Sequence, residues 1–355
     1  MSRKIKKLSI SAVAILLVLS GFGAFTLVRT ARKEITYIQS AEGSKVNASV
    51  SAAKTFSDDF EQLIPHERKL NSIVYYATGI FNSNHVIWGK DDWLFYSSTN
   101  SGDPIADYTG SNSFSQPELE QAKENMLSIQ DSLLKRNIKF CLLVPPNKEN
   151  VYSQYMPQKY KHTDKTRTDV LVEYLHNNGV NVVDAKEELI TFDSKYRTYY
   201  KQDTHWNELG AYIATQKVLD TFDAELPDID EGNIVQGDTT ISDLADMVGL
   251  TNVFPNDYGF TSADIKQVKG NITEESIGEV KHYHNEKATQ NESVLLIGDS
   301  FREAMVPAIL LCFNNVYVVT KDLYSQDIIR NIEPNYVVLE TVERLSDYAI
   351  SFKIV

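Results

Sequence analysis

Two short segments carry residue types that can activate a hydroxyl group. Ser300 follows Gly298-Asp299, where an apolar run over residues 294–297 gives way to a predicted helix. Asp203 and His205 lie two positions apart in a polar segment just before another predicted helix. An aspartate can orient one imidazole nitrogen and leave the other free to take a proton from serine. The residue types therefore fit nucleophilic chemistry at a serine.

Each segment also has an ordinary structural interpretation. A Gly-Asp-Ser turn after a strand often only caps a helix, and an Asp-x-His pair can be a cap or a surface ion pair. Both segments, however, lie at the ends of predicted strands or helices, and open α/β sheets bind ligands at the carboxyl ends of their strands. The free N–H groups of the helix after Ser300 could also hold a developing oxyanion.

Alternating strands and helices must position these segments. The predicted strands are apolar on both faces and cover residues 138–144, 180–183, 294–297, 316–319 and 336–339. The predicted helices cover residues 116–136, 164–178, 207–222, 302–313 and 323–331. Gly89-Lys90-Asp91-Asp92, between two tryptophans, predicts a hairpin turn. The fold class we expect is α/β, a three-layer domain with a mostly parallel sheet covered on both sides.

The N-terminus predicts a membrane anchor. Leu8–Val28 is an uncharged run of 21 residues that follows four basic residues. This run is long enough to span a bilayer and exceeds the roughly 7–15 apolar residues of a secretory signal. Cleavage near Gly21-Phe22-Gly23 stays open as an alternative. We expect an anchor over residues 1–33, a linker over 34–55 and an extracytoplasmic domain over 56–355.

Charge and composition exclude other classes of function. The 355 residues carry a net charge of −13, and the seven basic residues before position 34 leave −20 on the remainder. Such an acidic body repels a phosphate backbone, so nucleic acid is not an expected partner. Cys141 and Cys312 lie in apolar runs and are expected to be buried free thiols. His282-Tyr283-His284 is the nearest approach to a metal-ligand pattern, and neither a metal nor a cofactor is expected.

The two chemical segments resemble a known family. Gly-Asp-Ser-Phe at 298–301 and Asp-Thr-His-Trp at 203–206 are similar to the SGNH hydrolase-like domain of the alginate O-acetyltransferases AlgJ and AlgX. Further similar blocks cover residues 89–96, 144–148 and 339–344, so that the resemblance extends over about 56–355. It implies that Ser300 is acylated, that His205 is the general base and that Asp203 is its partner. Residues 225–292 do not align.

The resemblance implies an O-acetyltransferase acting on a cell-surface or secreted polysaccharide, without implying which polymer. Because acetyl-CoA is cytoplasmic, it also implies a membrane-bound O-acyltransferase partner that relays the acetyl group. Two alternatives stay open. An acetyl-esterase would use the same three residues with water as the acceptor, and a non-catalytic scaffold of an export complex would need none of them.

Four residues near these blocks are candidates for substrate binding. Asn147 and Lys148 follow a predicted strand and could line the site or serve as a cap. Tyr200 precedes the Asp-x-His pair and could contact an acceptor or pack internally. Trp206 could stack on a sugar ring or belong to the core. The sequence leaves these alternatives open.

Overall fold

The computed structural model describes residues 72–76, 79, 81, 83–192, 195–240, 242–254 and 257–353. The chain divides into two compact units, Met1–Ser83 and Asn84–Val355. In the first unit, residues 72–76 are helical. All candidate site residues belong to the second unit.

Strands and helices alternate through much of the second unit. Its strands are β1 (Val86–Trp88), β2 (Leu94–Tyr96), β3 (Lys139–Leu143), β4 (Val182–Val183), β5 (Ile234–Thr239), β6 (Tyr258–Ser262), β7 (Thr273–Ile277), β8 (Val280–His284), β9 (Gln290–Gly298), β10 (Phe313–Thr320) and β11 (Tyr336–Glu340). Its α-helices are α1 (Pro104–Thr109), α2 (Gln116–Leu134), α3 (Lys148–Val151), α4 (Arg167–Asn177), α5 (Lys186–Thr191), α6 (Glu208–Asp220), α7 (Asp243–Met247), α8 (Ala263–Lys269), α9 (Val306–Ile309), α10 (Gln326–Ile332) and α11 (Tyr348–Ser351). A 3-10 helix over Ser300–Met305 connects β9 to α9.

A seven-stranded sheet forms the centre of this unit. Its strand order is β4-β3-β11-β9-β10-β8-β7. The first five strands in this order are parallel, and β8 and β7 are antiparallel additions at one edge. The expected α/β fold with a mostly parallel sheet is confirmed. β1 and β2 pair as the predicted hairpin, with Trp88 opposite Leu94.

The two faces of the sheet belong to separate apolar clusters. Cys141, Leu296 and Val338 pack with residues of α6 on one face. On the other face, Leu142 and Ile297 pack with residues of α2 and α4. Because successive residues of a strand point to opposite faces, these strands need apolar side chains throughout. This confirms the three layers, and both cysteines are buried free thiols, as expected.

The predicted helix over residues 302–313 is wrong. The segment begins as a 3-10 helix, and α9 ends at Ile309, ahead of β10. Pro307 lies at the start of α9. Because proline lacks an N–H and clashes with the preceding turn, it separates the two helical pieces. The apolar run reflects burial on all sides rather than one continuous helix.

Three sequence predictions concern the N-terminal part of the chain. The anchor over Leu8–Val28 and the linker over 34–55 lie outside the described residues, and the domain boundary at residue 56 stays a prediction. Within the described ranges, the helices are too short or too polar to cross a membrane.

Candidate active site

Ser300 lies at the carboxyl end of β9, in the middle of the sheet. Asp299 caps the 3-10 helix, and its Oδ1 accepts from the Phe301 N–H at 3.1 Å. The other carboxylate oxygen accepts from the Val342 N–H at 2.9 Å and from Lys321 Nζ at 3.3 Å. Burial raises the pKa of Asp299, but Lys321 and these N–H donors outweigh burial, so the net pKa lies below its usual value. The Asp299 carboxylate therefore holds the turn that exposes Ser300.

Gly298 permits a close approach of β11 behind this turn. A Cβ at position 298 would lie 2.4 Å from Glu340 Oε2, which accepts from the Asp299 N–H at 2.9 Å. The Glu340 side chain is fully buried, and burial together with the Asp299 carboxylate raises its pKa well above its usual value. We therefore treat Glu340 as the neutral acid. The glycine of the Gly-Asp-Ser segment leaves room for it.

The loop before α6 presents His205 to Ser300. Asn207 caps α6 by accepting from the N–H groups of Leu209 and Gly210, each at 3.1 Å. His205 Nε2 lies 2.6 Å from Ser300 Oγ, and His205 Nδ1 lies 2.6 Å from Asp203 Oδ1. Because an ionised carboxylate only accepts, Nδ1 carries the proton and Nε2 accepts from the serine hydroxyl. The structure thus brings the three predicted residues into one hydrogen-bonded chain.

A second carboxylate, which the sequence interpretation missed, lies beside this chain. Asp243 Oδ2 is 3.7 Å from His205 Nδ1. Asp243 also accepts from the Thr204 N–H at 2.7 Å and from Thr204 Oγ1 at 2.5 Å. Its own N–H donates to Asp203 Oδ2 at 3.2 Å, and Thr240 Oγ1 donates to the same oxygen at 2.6 Å. No local sequence pattern marks Asp243, which is one of several acidic residues in the polar segment over residues 225–292.

The charges around His205 favour its protonated form. Burial lowers the pKa of His205, but the hydrogen bond to Asp203 and the charges of Asp203 and Asp243 raise it above its usual value. Burial raises the pKa of Asp203, yet its bonds to His205 hold the net pKa well below the usual range. Burial and the charge of Asp203 raise the pKa of Asp243. An imidazolium formed at His205 is therefore stabilised.

Asp203, His205 and Asp243 also form a group with metal-ligand residue types. Their ligand atoms lie within 4.8 Å of one another. Both nitrogens of His205, however, are already engaged, one by Asp203 and one by Ser300. The arrangement therefore fits proton transfer rather than metal coordination.

Lys148 fixes the loop that carries Asp203. Its Nζ donates to the carbonyl oxygens of Tyr200 at 3.2 Å, Lys201 at 3.1 Å and Asp203 at 2.6 Å. Burial lowers the pKa of Lys148 to about 8, although nearby acids such as Glu149 partly offset it. The side chain is buried, and its three donors are all used. Lys148 therefore positions the loop, and its binding of substrate stays a prediction.

Trp206 also has a structural role. The residue is 1% exposed, and its Nε1 donates to the Phe301 carbonyl oxygen at 2.9 Å. Its ring packs edge-on against the Phe301 ring, with centroids 5.3 Å apart. The indole is therefore packed inside the protein, and the stacking of Trp206 on a sugar stays a prediction. The tryptophan ties the start of α6 to the helix that begins at Ser300.

Asn147 and Tyr200 keep their status as predicted substrate-binding residues. The Asn147 N–H donates to Glu343 Oε2 at 2.8 Å, whereas its buried Nδ2 has no partner among the described residues. Tyr200 is half-buried, and its N–H donates to the His205 carbonyl oxygen at 3.2 Å. Asn147 therefore has a side-chain donor to spare, and Tyr200 lies on the loop that carries His205.

Arg344 places a positive charge near these residues. Its guanidinium lies 5.7 Å from the centroid of the Phe301 ring and 5.3 Å from that of the Tyr96 ring. Its charge is close enough to His205 to lower the pKa of the imidazole, in opposition to the two carboxylates. Within the part of the chain that the structure describes, Arg344 makes no ion pair with a carboxylate.

An open groove of about 470 Å³ begins at Ser300. Its size is within the range of pockets that take small ligands. The residues that line it are Asn100, Ser101, Gly102, Gly298, Asp299, Ser300, Arg302, Glu303, Thr320, Lys321, Asp322, Leu345 and Tyr348. Ser300 is exposed and lines this groove, so its hydroxyl is open to a ligand.

Solved structures are similar to this chain at low sequence identity. Bacillus cereus PatB1 with a sulfonyl adduct is 16% identical with a TM-score of 0.53, over 77% of this chain and 98% of that one. A DHHW family protein from Eubacterium siraeum is 17% identical with a TM-score of 0.50, over 76% and 95%. The O-acetyltransferase domain of Pseudomonas putida AlgJ is 18% identical with a TM-score of 0.46, over 75% and 92%.

No curated protein matches the chain by sequence. A family model does, and it is described as the SGNH hydrolase-like domain of the acetyltransferase AlgX. The match covers residues 86–306, more than half of the chain, and includes the Asp-x-His segment and Ser300. The chain therefore belongs to the AlgX family of SGNH hydrolase-like acetyltransferase domains.

Proposed function

We propose that this protein is an O-acetyltransferase that moves acetyl groups onto hydroxyls of an extracytoplasmic polysaccharide through an acetyl-Ser300 intermediate. The observation that carries the proposal is the hydrogen-bonded chain from Ser300 Oγ through His205 to Asp203, with both contacts at 2.6 Å. Membership of an acetyltransferase family supports the group that is transferred.

The first half-reaction forms the acetyl-serine. Ser300 Oγ attacks the acetyl carbonyl carbon of the donor while His205 Nε2 takes the hydroxyl proton. As the first residue of its helix, Ser300 has an N–H without an intrahelical acceptor, and this N–H can stabilise the oxyanion. The intermediate collapses, and the imidazolium returns the proton to the leaving oxygen. Asp203 stabilises the imidazolium throughout.

The second half-reaction transfers the acetyl group to sugar. His205 takes the proton of a sugar hydroxyl as its oxygen attacks the acetyl-Ser300 carbonyl carbon. Collapse of this intermediate breaks the bond to Ser300 Oγ, which recovers its proton from the imidazolium. An esterase would follow the same steps with water as the acceptor. The acceptor that discharges acetyl-Ser300 therefore separates the two activities.

The donor must reach the site from the membrane side. If Leu8–Val28 anchors the chain, the site is extracytoplasmic and cannot use cytoplasmic acetyl-CoA directly. A membrane-bound O-acyltransferase partner would relay the acetyl group to Ser300. The anchor would keep the site close to that partner, and the polysaccharide would be acetylated at the cell surface or after secretion.

Intact-mass analysis tests the proposal directly. The full chain in detergent is exposed to p-nitrophenyl acetate, or to an arylsulfonyl fluoride, which modifies activated serine hydroxyls. We expect one adduct in the wild type and in Ser111→Ala, which removes an exposed hydroxyl on a loop. We expect none in Ser300→Ala. Equal labelling of Ser300→Ala would refute the assignment of the nucleophile.

The choice of acceptor is measured in the same preparation. Acetyl-Ser300 that is discharged faster by oligosaccharide than by water establishes a transferase. If glycan does not accelerate the discharge, the activity is that of an acetyl-esterase, and the proposed transferase activity is refuted.

A further inference from the structure

The two positively charged side chains that line the groove beside Ser300 are hydrogen-bonded to other groups of the protein. Arg302 is 5% exposed, and its guanidinium donates to the Gly298 and Asp299 carbonyl oxygens and to Glu303 Oε1. Lys321 is 8% exposed and donates to Asp299 Oδ2 at 3.3 Å and to Thr341 Oγ1 at 3.0 Å. Both cations therefore hold the turn around Ser300, and neither presents a free charge to a ligand.

Two of the three carboxylates that line the groove face the solvent. The Glu303 side chain is 41% exposed although it pairs with Arg302 at 3.1 Å, and Asp322 is also exposed. Asp322 Oδ1 accepts from the Tyr348 hydroxyl at 3.2 Å, which directs one carboxylate oxygen to the groove wall. The side chains of Glu303 and Asp322 are therefore the charged groups of the groove lining that are most open to a ligand.

Two further cations lie near this region but do not line the groove. Lys281 on β8 interacts with Glu303 and lies 3.9 Å from Glu274. Arg344 faces the Tyr96 and Phe301 rings, and its carbonyl group and Cβ lie beside Gly102. Neither cation is part of the groove lining, so they weaken the negative field of the groove without supplying a carboxylate-binding group in it.

The other solvent-facing groups of the groove suit sugars. Asn100, Ser101 and Thr320 offer amide and hydroxyl groups, and Leu345 and Tyr348 offer apolar surface. Uncharged hydrogen-bonding groups beside an aromatic ring can bind sugar hydroxyls and C–H faces without a formal charge. This lining is compatible with a pyranose ring that has no carboxylate.

We propose that this groove is the acceptor subsite and that it selects a non-anionic glycan, neutral or amino-bearing, against polyuronates. The proposal rests on the proposed acetyl-transfer function of Ser300. Its physical cause is the repulsion between the exposed Glu303 and Asp322 carboxylates and a carboxylate on each sugar of a polyuronate.

The discharge of acetyl-Ser300 by three hexasaccharides tests this proposal. The probes are cellohexaose, fully de-N-acetylated chitohexaose and oligomannuronate. We expect both non-anionic probes to discharge the acetyl group faster than oligomannuronate. The oligomannuronate rate should rise between about 10 mM and about 1 M salt, where the Debye length falls from about 30 Å to about 3 Å. The cellohexaose rate should not depend on salt.

A charge-removal variant isolates the two carboxylates. A charge about 8 Å away in a water-like dielectric changes a binding constant by about 2.4-fold, so two such charges change it by about six-fold. Glu303→Gln/Asp322→Asn should therefore narrow the preference for cellohexaose over oligomannuronate by about six-fold. The matched control is Asp223→Asn/Glu225→Gln, which removes two exposed carboxylates outside the groove lining, one of them paired with Lys139 at the amino end of β3. The control should leave the preference unchanged.

The outcomes separate this proposal from the proposed function. If Ser300 takes no acetyl group, the proposed function fails. If acetyl-Ser300 forms but is discharged equally by oligomannuronate and cellohexaose, only the charge selection is overturned. An equal narrowing in both double variants would likewise overturn it, because net charge rather than the groove would then set the preference.

Discussion

The second carboxylate beside His205 should set the pH range in which Ser300 is reactive. Only neutral His205 can take the serine proton, so the rate of acylation falls as the pH drops through the pKa of His205. Burial lowers this pKa, but Asp203 and Asp243 raise it above its usual value of 6.5. Asp243→Asn removes one of the two negative charges. The pKa of His205 should therefore fall, and the acidic limb of the pH–rate profile should move to lower pH.

The distance between the two groups gives the size of this shift. At 3.7 Å, a pair of unit charges interacts by about 1 kcal/mol in a water-like dielectric and by about 4 kcal/mol at an effective dielectric of about 20. One pKa unit corresponds to about 1.4 kcal/mol. We therefore expect the acidic limb to move by about 0.8 pH units or more. The asparagine oxygen can still accept from the Thr204 N–H, which preserves the loop.

The assay follows the burst of p-nitrophenol from p-nitrophenyl acetate between about pH 4.5 and pH 9. The matched control is Asp220→Asn, which removes an exposed carboxylate at the last residue of α6. At 1.5 Å per residue, this position is about 18 Å along the helix from Glu208, beyond the Debye length of about 8 Å at physiological salt. The control profile should match that of the wild type.

Two results would refute this reasoning. An acidic limb that stays in place, in a variant with an unchanged melting temperature, would show that the Asp243 charge does not act on His205. An acidic limb that moves to higher pH would show that the sign of the interaction is wrong.

Three further substitutions test the supporting residues. Lys148→Met takes a donor from the carbonyl oxygens of Tyr200 and Asp203, whereas the Lys201 carbonyl oxygen keeps the Leu94 N–H at 2.9 Å. At about 1–3 kcal/mol for each of the two unsatisfied groups, urea unfolding should show a loss of several kcal/mol, together with slower acylation of Ser300. Trp206→Phe removes the donor to the Phe301 carbonyl oxygen and should cost about 1–3 kcal/mol in the same measurement, and no loss would contradict the assigned bond. Because the pKa of Glu340 is raised in the folded state, the neutral acid stabilises the fold at low pH, and this stabilisation is lost as the pH rises above the usual pKa of 4.5. The difference in unfolding free energy between the wild type and Glu340→Gln should therefore be larger at about pH 5 than at about pH 8. A pH-independent difference would refute the neutral state of Glu340.

Much of the fold could be predicted because the central strands are buried on both faces. Strands such as β3 and β11 have no polar alternation, and their apolar residues alone identified them. β7 could not be identified in this way, because all five of its residues are exposed at the edge of the sheet. The helix after Ser300 was misjudged because an apolar run predicts burial and does not reveal a break at Pro307.

In the candidate site too, some residues could be identified from local sequence and others could not. Asp203 and His205 were found from their spacing, and Ser300 from its place after a strand, because these relations are local in sequence. Asp243 was missed, since it reaches His205 only when the polar segment after α6 folds back over the loop. The burial of Trp206 was likewise not evident from its local sequence. That burial depends on neighbours from distant parts of the chain.

By itself, the sequence determined the residue types available for chemistry, the order of the central strands along the chain and the acidic character of the protein. These properties follow from local spacing and composition. Only the tertiary structure decided that His205 Nε2 meets Ser300 Oγ at 2.6 Å, across 95 positions of sequence. It also decided that the groove buries Arg302 and Lys321 and exposes the carboxylates of Glu303 and Asp322. Contacts and burial of this kind arise from packing between elements distant in sequence, and no local pattern encodes them.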